Sequence, residues 1–561
     1  MAPEVLDVLR DRFGHQDFQG MQEEVVSCVL GGNDALVIMP TGGGKSLCYQ
    51  LPSMVLPGLT IVLSPLIALM KDQVDALHLK GIPATFINSS LDKSERKERI
   101  NDVVAGKYKL LYVTPERFRK RDFVEAINSV VVSLLAVDEA HCITTWGHDF
   151  RPEYGRVGHI KKLLGDPVTI ALTATAAPET QTEILRSLGT EEAKIFHSGI
   201  ERPNLHIAVR TVVDGNERLE RIVEVIERLS GPGIVYMSLI RDIRELEDEL
   251  LRRGKQPMVY HGGLSAHERK QMQERFFASR DGIVLATNAF GMGVDKADIR
   301  FIIHGQIPGS PESYYQEIGR AGRDGKPALC ELLYFPEDIL IRKQFIEWAN
   351  PTPEFLRSVF DLMVSWGENL YSHDVEDIAS TLLLKNRRDG RAGMVVGLLR
   401  ASDIIEGEFE RGNLRILRDL AVNEEFDLID TAKRGRDLTR LLDLVRFAQE
   451  EECRRQLLFS YFGFHDEEPC GNCDRCVDTD DWIKNQKEIK EAEFSREQEA
   501  PSHHDKAPVK RGEWLIINRR HHVVVKKVEF GEAGTFIEAE SANDLEIRRY
   551  DLSRVRWRRL E

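Results

Sequence analysis

The sequence lacks an apolar run long enough to cross a membrane, and its N-terminus lacks the apolar core of a signal peptide. We therefore expect an intracellular protein that makes no membrane contacts. The chain also lacks an excess of positive charge, since its formal net charge is −15. This balance argues against a protein that coats nucleic acid generally, although a local basic groove can still bind phosphates.

Cysteine is sparse over most of the chain. Four cysteines (Cys28, Cys48, Cys142 and Cys330) are isolated, which is typical of small buried thiols. The other four follow the spacing C-x16-C-x2-C-x2-C, which suggests a metal site in a reducing compartment. Four thiolates complete a tetrahedral Zn²⁺ shell, so a structural zinc site is predicted, with an iron–sulfur cluster as the alternative. The predicted ligands are Cys453, Cys470, Cys473 and Cys476.

Length predicts three or more domains, because 561 residues are too many for one hydrophobic core. Residues 1–335 alternate short apolar runs with amphipathic stretches, which indicates parallel sheets with crossover helices. The nine strand candidates fit two α/β domains with a seam near 200–212. They are residues 35–39, 60–64, 109–113, 133–138, 169–173, 233–237, 257–261, 282–287 and 300–304.

The pattern changes after Phe335. Three helical patterns precede a hairpin pattern that turns at Gly412-Asn413, which predicts a winged-helix-like unit or, alternatively, a helical bundle with a β appendage. A further helix, a charged linker and an alternating segment typical of a small antiparallel barrel follow. The helical patterns cover residues 353–366, 374–384, 390–400 and 435–460.

A glycine-rich loop lies between the first strand and the next helix, in the run VIMPTGGGKSLCYQ (37–50). Glycines let backbone N–H groups approach phosphate oxygens, and the helix N-terminus adds positive charge. Lys45 can reach the β- and γ-phosphates, and Ser46 can ligate Mg²⁺. Met39 replaces the first glycine of the usual pattern, and a glycine turn beside a lysine is the alternative interpretation. The predicted phosphate contacts are Thr41, Gly42, Gly43, Gly44, Lys45 and Ser46.

Two adjacent carboxylates end a second apolar strand. Asp138 can hold the same Mg²⁺, and Glu139 can polarise an attacking water as general base. An acidic strand end is a weak signal alone, but together with the phosphate loop it predicts hydrolysis of a nucleoside triphosphate.

The run YYQEIGRAGRDG (314–325) supplies a second group of polar residues. Arg320 and Arg323 are three residues apart, which places both on one face if the segment is helical. One of them can act as an arginine finger, and a surface ion pair is the alternative. Gln316 lies one turn earlier and can sense the γ-phosphate.

These motifs together resemble the RecQ family of superfamily 2 DNA helicases. The resemblance covers about residues 10–335 and 440–477. The matching segments are FQGMQEE (18–24), MPTGGGKS (39–46), LSPLIALMKDQ (63–73), YVTPERF (112–118), DEAH (138–141), LTATA (172–176), ATNAFGMGVDK (286–296), QEIGRAGRDG (316–325) and the zinc-binding run with its preceding CRRQLLFSYFG.

The resemblance implies several residue roles. The loop after DEAH would stack on single-stranded DNA and couple that contact to hydrolysis, because aromatic rings bind base faces without sequence preference. The implied DNA contacts are Trp146, His148, Phe150 and Arg151. Gln22 would read the adenine edge, and His15 would take the adenine-stacking position.

The chain departs from the family pattern at three points. Gln19-Gly20 replaces Arg-Pro and removes one cation near the base, the segment 236–242 lacks the usual Ser-Arg, and Thr145 stands where Gln is common. The family's winged helix after the zinc site also has no counterpart in the sequence.

The expected fold class is therefore α/β, with two tandem RecA-like parallel-sheet domains followed by smaller units. We expect RecA-like domains at 1–205 and 206–340, a helical or winged-helix-like insertion at 341–435, a zinc-binding subdomain at 436–480, a charged linker at 481–511 and a small β-barrel-like domain at 512–561.

The resemblance implies ATP-dependent DNA unwinding with Mg²⁺ and Zn²⁺, 3′–5′ translocation on single strands, and a role in repair or recombination. The predicted partners are single-stranded and tailed duplex DNA, in a bacterial cytoplasm or a nucleus. A DNA-stimulated ATPase that translocates, remodels or anneals is the alternative. An RNA helicase and a zinc-stabilised DNA-binding module with a vestigial motor are less favoured.

Overall fold

The computed structural model describes residues 3–40, 42–65, 67–143, 152–199, 201–291, 294–383, 389–409, 412–464, 468–486, 514–517, 521–531, 534–541, 547–551 and 557–559. The chain divides into two units, Met1–Trp482 and Ile483–Glu561. Among the described residues, no helix has both the length and the apolarity to cross a bilayer.

The first sheet has seven parallel strands in the order β3-β4-β2-β5-β6-β1-β7. Its strands are β1 Ala35–Ile38, β2 Leu59–Leu63, β3 Ala84–Ile87, β4 Leu110–Val113, β5 Val132–Val137, β6 Val168–Thr173 and β7 Lys194–His197. Its α-helices are α1 Pro3–Val8, α2 Gln22–Leu30, α3 Leu47–Val55, α4 Ile67–Leu79, α5 Lys93–Val104, α6 Arg121–Ile127, α7 Val157–Leu163 and α8 Pro178–Leu188. Short helical turns cover Leu9–Phe13, Pro115–Arg119, Ala140–Ile143 and Pro152–Arg156.

Both faces of this sheet are covered, as parallel sheets require. Alternate residues of one strand enter different cores: Val37 packs in one layer, whereas Leu36 and Ile38 pack in the other. The central strands are largely apolar because their side chains are buried on both faces, whereas the edge strand β7 exposes Lys194 and Ile195.

The second sheet has six parallel strands in the order β10-β11-β9-β12-β13-β8. They are β8 Leu205–Thr211, β9 Gly233–Tyr236, β10 Met258–Tyr260, β11 Ile283–Ala286, β12 Phe301–His304 and β13 Ala328–Tyr334. The accompanying helices are α9 Gly215–Arg228, α10 Ile240–Arg252, α11 Ala266–Ala278, α12 Pro311–Ile318 and α13 Asp338–Trp348.

All nine strand candidates are strands of these two sheets. Four further strands, β3, β7, β8 and β13, were not among the candidates.

Within the first unit, a region with its own hydrophobic core follows α13. It contains α14 Pro353–Ser365, a short turn Gly367–Ser372, α15 Val375–Leu382, α16 Arg391–Ala401, β14 Ile405–Glu406, β15 Arg415–Ile416 and α17 Glu424–Leu428. Three helices and a short antiparallel hairpin occur here, and they fit both the winged-helix-like unit and the alternative of a helical bundle with a β appendage.

The predicted turn of this hairpin was wrong. Ile405 pairs with Ile416 and Glu406 pairs with Arg415, so the connection spans residues 407–414 and is not a two-residue turn at Gly412-Asn413. The Asn413 side chain accepts a hydrogen bond from the Glu408 amide at 2.8 Å, which makes it part of a wider loop.

The predicted helix at 435–460 is two helices, α18 Lys433–Gln449 and α19 Arg454–Tyr461. The backbone of Glu450 is extended, with ψ of 150°, and this ends the first helix. Phe447, Phe459 and Phe462 join the core of the second sheet, so both helices pack on that sheet.

The second unit contains a five-stranded antiparallel sheet in the order β19-β18-β17-β16-β20. Its strands are β16 Trp514–Ile517, β17 His521–Gly531, β18 Gly534–Ser541, β19 Ile547–Asp551 and β20 Trp557–Arg559. Val525, Ile537 and Ala539 form its buried face.

Candidate functional site

The glycine loop connects β1 to α3, as predicted. Gly42 and Gly44 have φ of 87° and 75°, a region that favours glycine. A Cβ on Gly44 would lie 2.3 Å from the Gln22 side-chain nitrogen, so a larger residue there would displace the Gln22 side chain from the loop. Thr41 lies outside the described residues.

Lys45 folds over this loop. Its ammonium donates to the carbonyl oxygens of Met39 at 2.9 Å and Pro40 at 3.3 Å. Burial lowers the pKa of Lys45, and the charges of Glu139 and Asp138 oppose that shift. The loop lysine and the two strand-end carboxylates are therefore close enough to interact electrostatically.

Gln22 begins α2 and is joined to the same loop. Its side-chain oxygen accepts from the Gln19 amide at 2.9 Å, and its nitrogen donates to the carbonyls of Gly44 at 3.3 Å and Gly43 at 3.4 Å. His15, predicted to stack on adenine, is exposed. Gln22 is thus tied to the phosphate loop from the side of the N-terminal helices.

Asp138 and Glu139 directly follow β5, as predicted. The pKa of Asp138 is raised to about 7, because burial and the neighbouring Glu139 charge outweigh the attraction of Lys45. Glu139 has φ of 49°, which is unusual for a residue other than glycine. Such backbone strain persists where the surroundings fix it, and it recurs at functional sites.

His141 links these carboxylates to the second sheet, a role that sequence reasoning missed. Its Nδ1 lies 3.0 Å from Thr173 Oγ1 and 3.3 Å from Glu139 Oε2. The Thr173 hydroxyl donates to the Thr175 carbonyl at 3.0 Å, so it accepts from a protonated Nδ1. His141 Nε2 then accepts from the Gln316 amide at 3.3 Å. The signal was present in the sequence, since His141 belongs to the same DEAH run.

Arg320 and Arg323 do not lie on a helix, so the predicted helical spacing was wrong. Helix α12 ends at Ile318, and both arginines follow it in a series of turns that begins at Gly319. The Arg320 guanidinium donates to the Gly291 carbonyl of its own domain.

Arg323 is the arginine whose charge acts on the first domain. It pairs with Asp295, with 2.5 Å between Nη1 and Oδ1. Its charge also contributes to lowering the pKa of Lys45. Gln316 thus contacts the first domain through His141, and the charge of Arg323 acts on Lys45.

The aromatic loop connects the helical turns Ala140–Ile143 and Pro152–Arg156. Its implied DNA contacts, Trp146, His148, Phe150 and Arg151, lie outside the described residues. Its flanks are fixed, since Ile143 on one side and Tyr154 on the other are buried in the core of the first sheet. Tyr154, an aromatic residue just after this loop, is therefore a core residue.

The four clustered cysteines converge as predicted, with ligand atoms within 4.8 Å of one another. The Sγ of Cys473 lies 3.8 Å from that of Cys453 and 3.5 Å from that of Cys476. A Zn–S distance of about 2.3 Å implies sulfur separations of roughly 3.8 Å in a tetrahedron. The hydrogen bond between Cys470 and Cys473 lowers the pKa of Cys473 and raises that of Cys470, so Cys473 is the thiolate of that pair. The cluster fits a single zinc ion.

This cysteine segment extends the edge of the second sheet. Cys473 forms a parallel bridge with Ile207 of β8, and the Asp474 amide donates to the Ile207 carbonyl at 3.0 Å. Arg454 is fully buried and donates to both Asp474 oxygens, at 2.9 and 3.2 Å. Strand β8 is thus paired on both sides.

Three family models match the chain. They are the DEAD/DEAH box helicase over residues 19–184, the helicase conserved C-terminal domain over 217–325, and the RecQ zinc-binding family over 415–477. Their order agrees with the two sheets and the cysteine cluster.

Similar curated proteins include a probable ATP-dependent DNA helicase RecS of Bacillus subtilis, 35% identical over 83% of this chain and 89% of the relative. ATP-dependent DNA helicases RecQ of Haemophilus influenzae and B. subtilis are each 36% identical, over 85% and 84% of this chain. The chain spans 64% and 66% of those two RecQ proteins. These matches and the cysteine cluster support ATP and Zn²⁺ as ligands. The chain belongs to the RecQ family of superfamily 2 ATP-dependent DNA helicases.

Proposed function

We propose that the protein is a DNA helicase that couples Mg²⁺-ATP hydrolysis to 3′–5′ translocation on single-stranded DNA and to duplex unwinding. The observation that carries this proposal is the Gln316–His141 contact, which joins the second sheet to the carboxylate segment of the first. A nucleotide bound at the phosphate loop would thus touch residues that belong to both sheets. Such a shared site lets nucleotide binding and release change the relative position of the two domains.

The proposed nucleotide contacts follow from the loop. Its N–H groups and Lys45 would bind the phosphates, with Lys45 exchanging the Met39 and Pro40 carbonyls for phosphate oxygens. Ser46 and Asp138 would hold Mg²⁺, which supplies charge neutralisation when bound. Gln22 and His15 are proposed for the adenine, and Thr41 for the phosphates.

Glu139 is proposed to take the proton of the attacking water. His141 Nδ1 lies 3.3 Å from the Glu139 carboxylate, and the Gln316 contact with the same ring can report closure of the second domain. The raised pKa of Asp138 belongs to the metal-free chain; a bound cation would favour its carboxylate form.

Arg323 is proposed as the arginine finger on the transition-state charge, an effect worth about 10³–10⁵ in rate. Its charge already acts on Lys45, whereas Arg320 is held by Gly291. Arg320 would therefore orient the loop between β11 and β12.

The DNA contacts are proposed from the family resemblance. Trp146, Phe150 and Arg151, with His148 beside them, would bind a single strand by stacking and charge. Because Ile143 and Tyr154 anchor the flanks in the core, a strand bound there would act on a segment joined directly to DEAH. Tailed duplexes are the proposed substrates, in repair or recombination of chromosomal DNA.

A translocase or annealing protein that unwinds poorly is the second candidate. It is favoured by the order of the units, because the winged-helix-like unit precedes the zinc site and the described residues after 514 form a β-sheet. The winged helix that the family pattern places after the zinc site would then have no counterpart at that position in the sequence.

The test measures ATP hydrolysis with single-stranded DNA, with RNA of the same sequence and without nucleic acid. We expect strong stimulation by DNA and weaker stimulation by RNA. Displacement of streptavidin from the 5′ but not the 3′ end of a biotinylated strand would then demonstrate 3′–5′ translocation. Stimulation by RNA alone would contradict the proposal.

A further inference from the structure

The segment between β7 and β8 contacts the loop that follows α12, which carries Arg320 and Arg323. Arg202, between β7 and β8, donates from Nη1 to the Gly319 carbonyl at 3.0 Å and from Nη2 to the Ala321 carbonyl at 2.5 Å. The guanidinium fork therefore bridges two carbonyls on either side of Arg320. A planar fork can hold two such acceptors in one orientation, whereas a lysine ammonium cannot reproduce this geometry.

Asn204 holds the next part of the same loop. Its side-chain nitrogen donates to the carbonyls of Gly322 at 2.8 Å and Lys326 at 2.9 Å. Gly322 has φ of 55°, and a Cβ there would lie 2.4 Å from that nitrogen. The approach of Asn204 to the loop thus requires glycine at position 322.

The loop itself has little regular structure to fix its position. Residues 319–325 form turns between α12 and β13, and the Gly322 amide donates to the Ile299 carbonyl at 2.9 Å. Arg202 and Asn204 accordingly provide four side-chain hydrogen bonds to the backbone around Arg320 and Arg323.

The cysteine cluster in turn holds the connecting segment. Asn472 lies between Cys470 and Cys473, and its amide N–H points to Cys470 Sγ at 3.4 Å. Its side-chain nitrogen donates to the carbonyls of Pro203 at 2.9 Å and Leu205 at 3.2 Å. These two carbonyls flank Asn204.

We propose that Arg202 and Asn204 are positioning residues for Arg323, and that the cysteine cluster anchors them through Asn472. The inference rests on the proposed role of Arg323 in ATP hydrolysis. The connecting segment is the part of the chain that must adjust when the two sheets change their relative position. Because it holds the arginine loop directly, domain closure and the position of the arginine are mechanically linked.

The kinetic test uses Arg202→Gln, with Arg253→Gln as the matched control, since Arg253 lies in the same domain and forms only exposed ion pairs with Glu249 and Glu227 in the described structure. We expect Arg202→Gln to lower the DNA-stimulated kcat by about tenfold to 100-fold, with nucleotide affinity and KM for ATP changed less than twofold. Arg202→Lys should recover only part of the loss.

The double variant separates positioning from general destabilisation. In an Arg323→Ala background, followed under single-turnover conditions, Arg202→Gln should change the rate less than twofold, because its effect passes through Arg323. Equal fold losses in both backgrounds, or a single variant as active as the wild type, would overturn the proposal.

A second readout does not require hydrolysis. Hydrogen–deuterium exchange of peptides covering 316–326 should accelerate about tenfold in Arg202→Gln and in Asn472→Ala, with zinc content unchanged and exchange of α9 unaffected. Unchanged exchange in Arg202→Gln overturns the inference even if the wild type proves inactive. A wild type that hydrolyses no ATP with DNA would instead contradict the proposed function.

Discussion

The Gln316 amide lies 3.3 Å from His141 Nε2, and this hydrogen bond connects a helix of the second sheet domain to the DEAH segment of the first. His141 is in turn 3.3 Å from the Glu139 carboxylate. The proposed base is therefore linked to the other domain through one hydrogen bond, Gln316–His141, and one close contact, His141–Glu139. A change in domain position would be felt at Glu139 through one imidazole ring.

This connection predicts non-additive kinetics. His141→Ala and Gln316→Ala should each lower the DNA-stimulated kcat, and the double variant should lose little more than the worse single variant. Residues that share a hydrogen bond show coupling energies of about 0.5–3 kcal/mol. Gln256→Ala, an exposed glutamine of the same domain, is the control. Additive losses would show that the contact has no role in turnover.

The catalytic assignments predict distinct defects for two residues. Lys45→Ala should lower both nucleotide affinity and kcat, the latter by about 100-fold or more. Glu139→Gln should retain nucleotide binding and lose about 10²- to 10⁴-fold in kcat, since it removes a general base without changing shape. Equilibrium binding of a fluorescent ATP analogue and steady-state hydrolysis distinguish the two. A Glu139→Gln chain with wild-type turnover would exclude Glu139 as the base.

Zinc removal should destabilise the edge of the second sheet. Cys473→Ser removes one ligand beside the Ile207 bridge, and structural zinc contributes about 10–16 kcal/mol in small zinc-finger peptides. We expect loss of bound zinc and a fall of at least about 10 °C in the first thermal transition. Cys28→Ser, outside the cluster, should retain the metal. Full zinc content in Cys473→Ser would contradict the ligand assignment.

The buried ion pair of Arg454 and Asp474 gives a separate stability prediction. Arg454→Ala leaves the Asp474 carboxylate largely buried without its guanidinium, which should cost about 3–5 kcal/mol. The exposed Arg475→Ala, in the same segment, should cost less than about 0.5 kcal/mol. Chemical unfolding of the zinc-loaded chains, monitored through the release of zinc, measures the loss of stability in both variants. Equal midpoints for the two variants would refute the prediction.

Local pattern was sufficient for the central strands and for the positions of the glycine loop after β1 and the two carboxylates after β5. Nine strands were found from apolar runs, because strands buried on both faces are apolar throughout. The edge strand β7 was missed because Lys194 and Ile195 are exposed, so its sequence KIFH carries no such run. Strand β13 was missed because it contains Glu331, whose charge is buried against Arg221 at 3.0 Å.

Features that depend on long-range contacts could not be predicted. The QEIGRAGRDG run has helical spacing, yet glycines at 319, 322 and 325 favour turns once Arg202 and Asn204 bind their carbonyls. Those partners lie more than a hundred residues away in the chain. The hairpin turn also differs from the prediction, because the Gly412 amide donates to the Phe409 carbonyl and Asn413 bonds to Glu408, so Asn413 follows the turn.

Strand separation on matched duplexes with a 3′ or a 5′ single-stranded tail tests the central claim most directly, with Lys45→Ala as the control. We predict ATP-dependent unwinding of the 3′-tailed duplex by the wild type, none of the 5′-tailed duplex, and none by Lys45→Ala. Unwinding that persists in Lys45→Ala, or that requires the 5′ tail, would contradict the account. ATP hydrolysis with single strands but no unwinding of either duplex would establish the translocase alternative in its place.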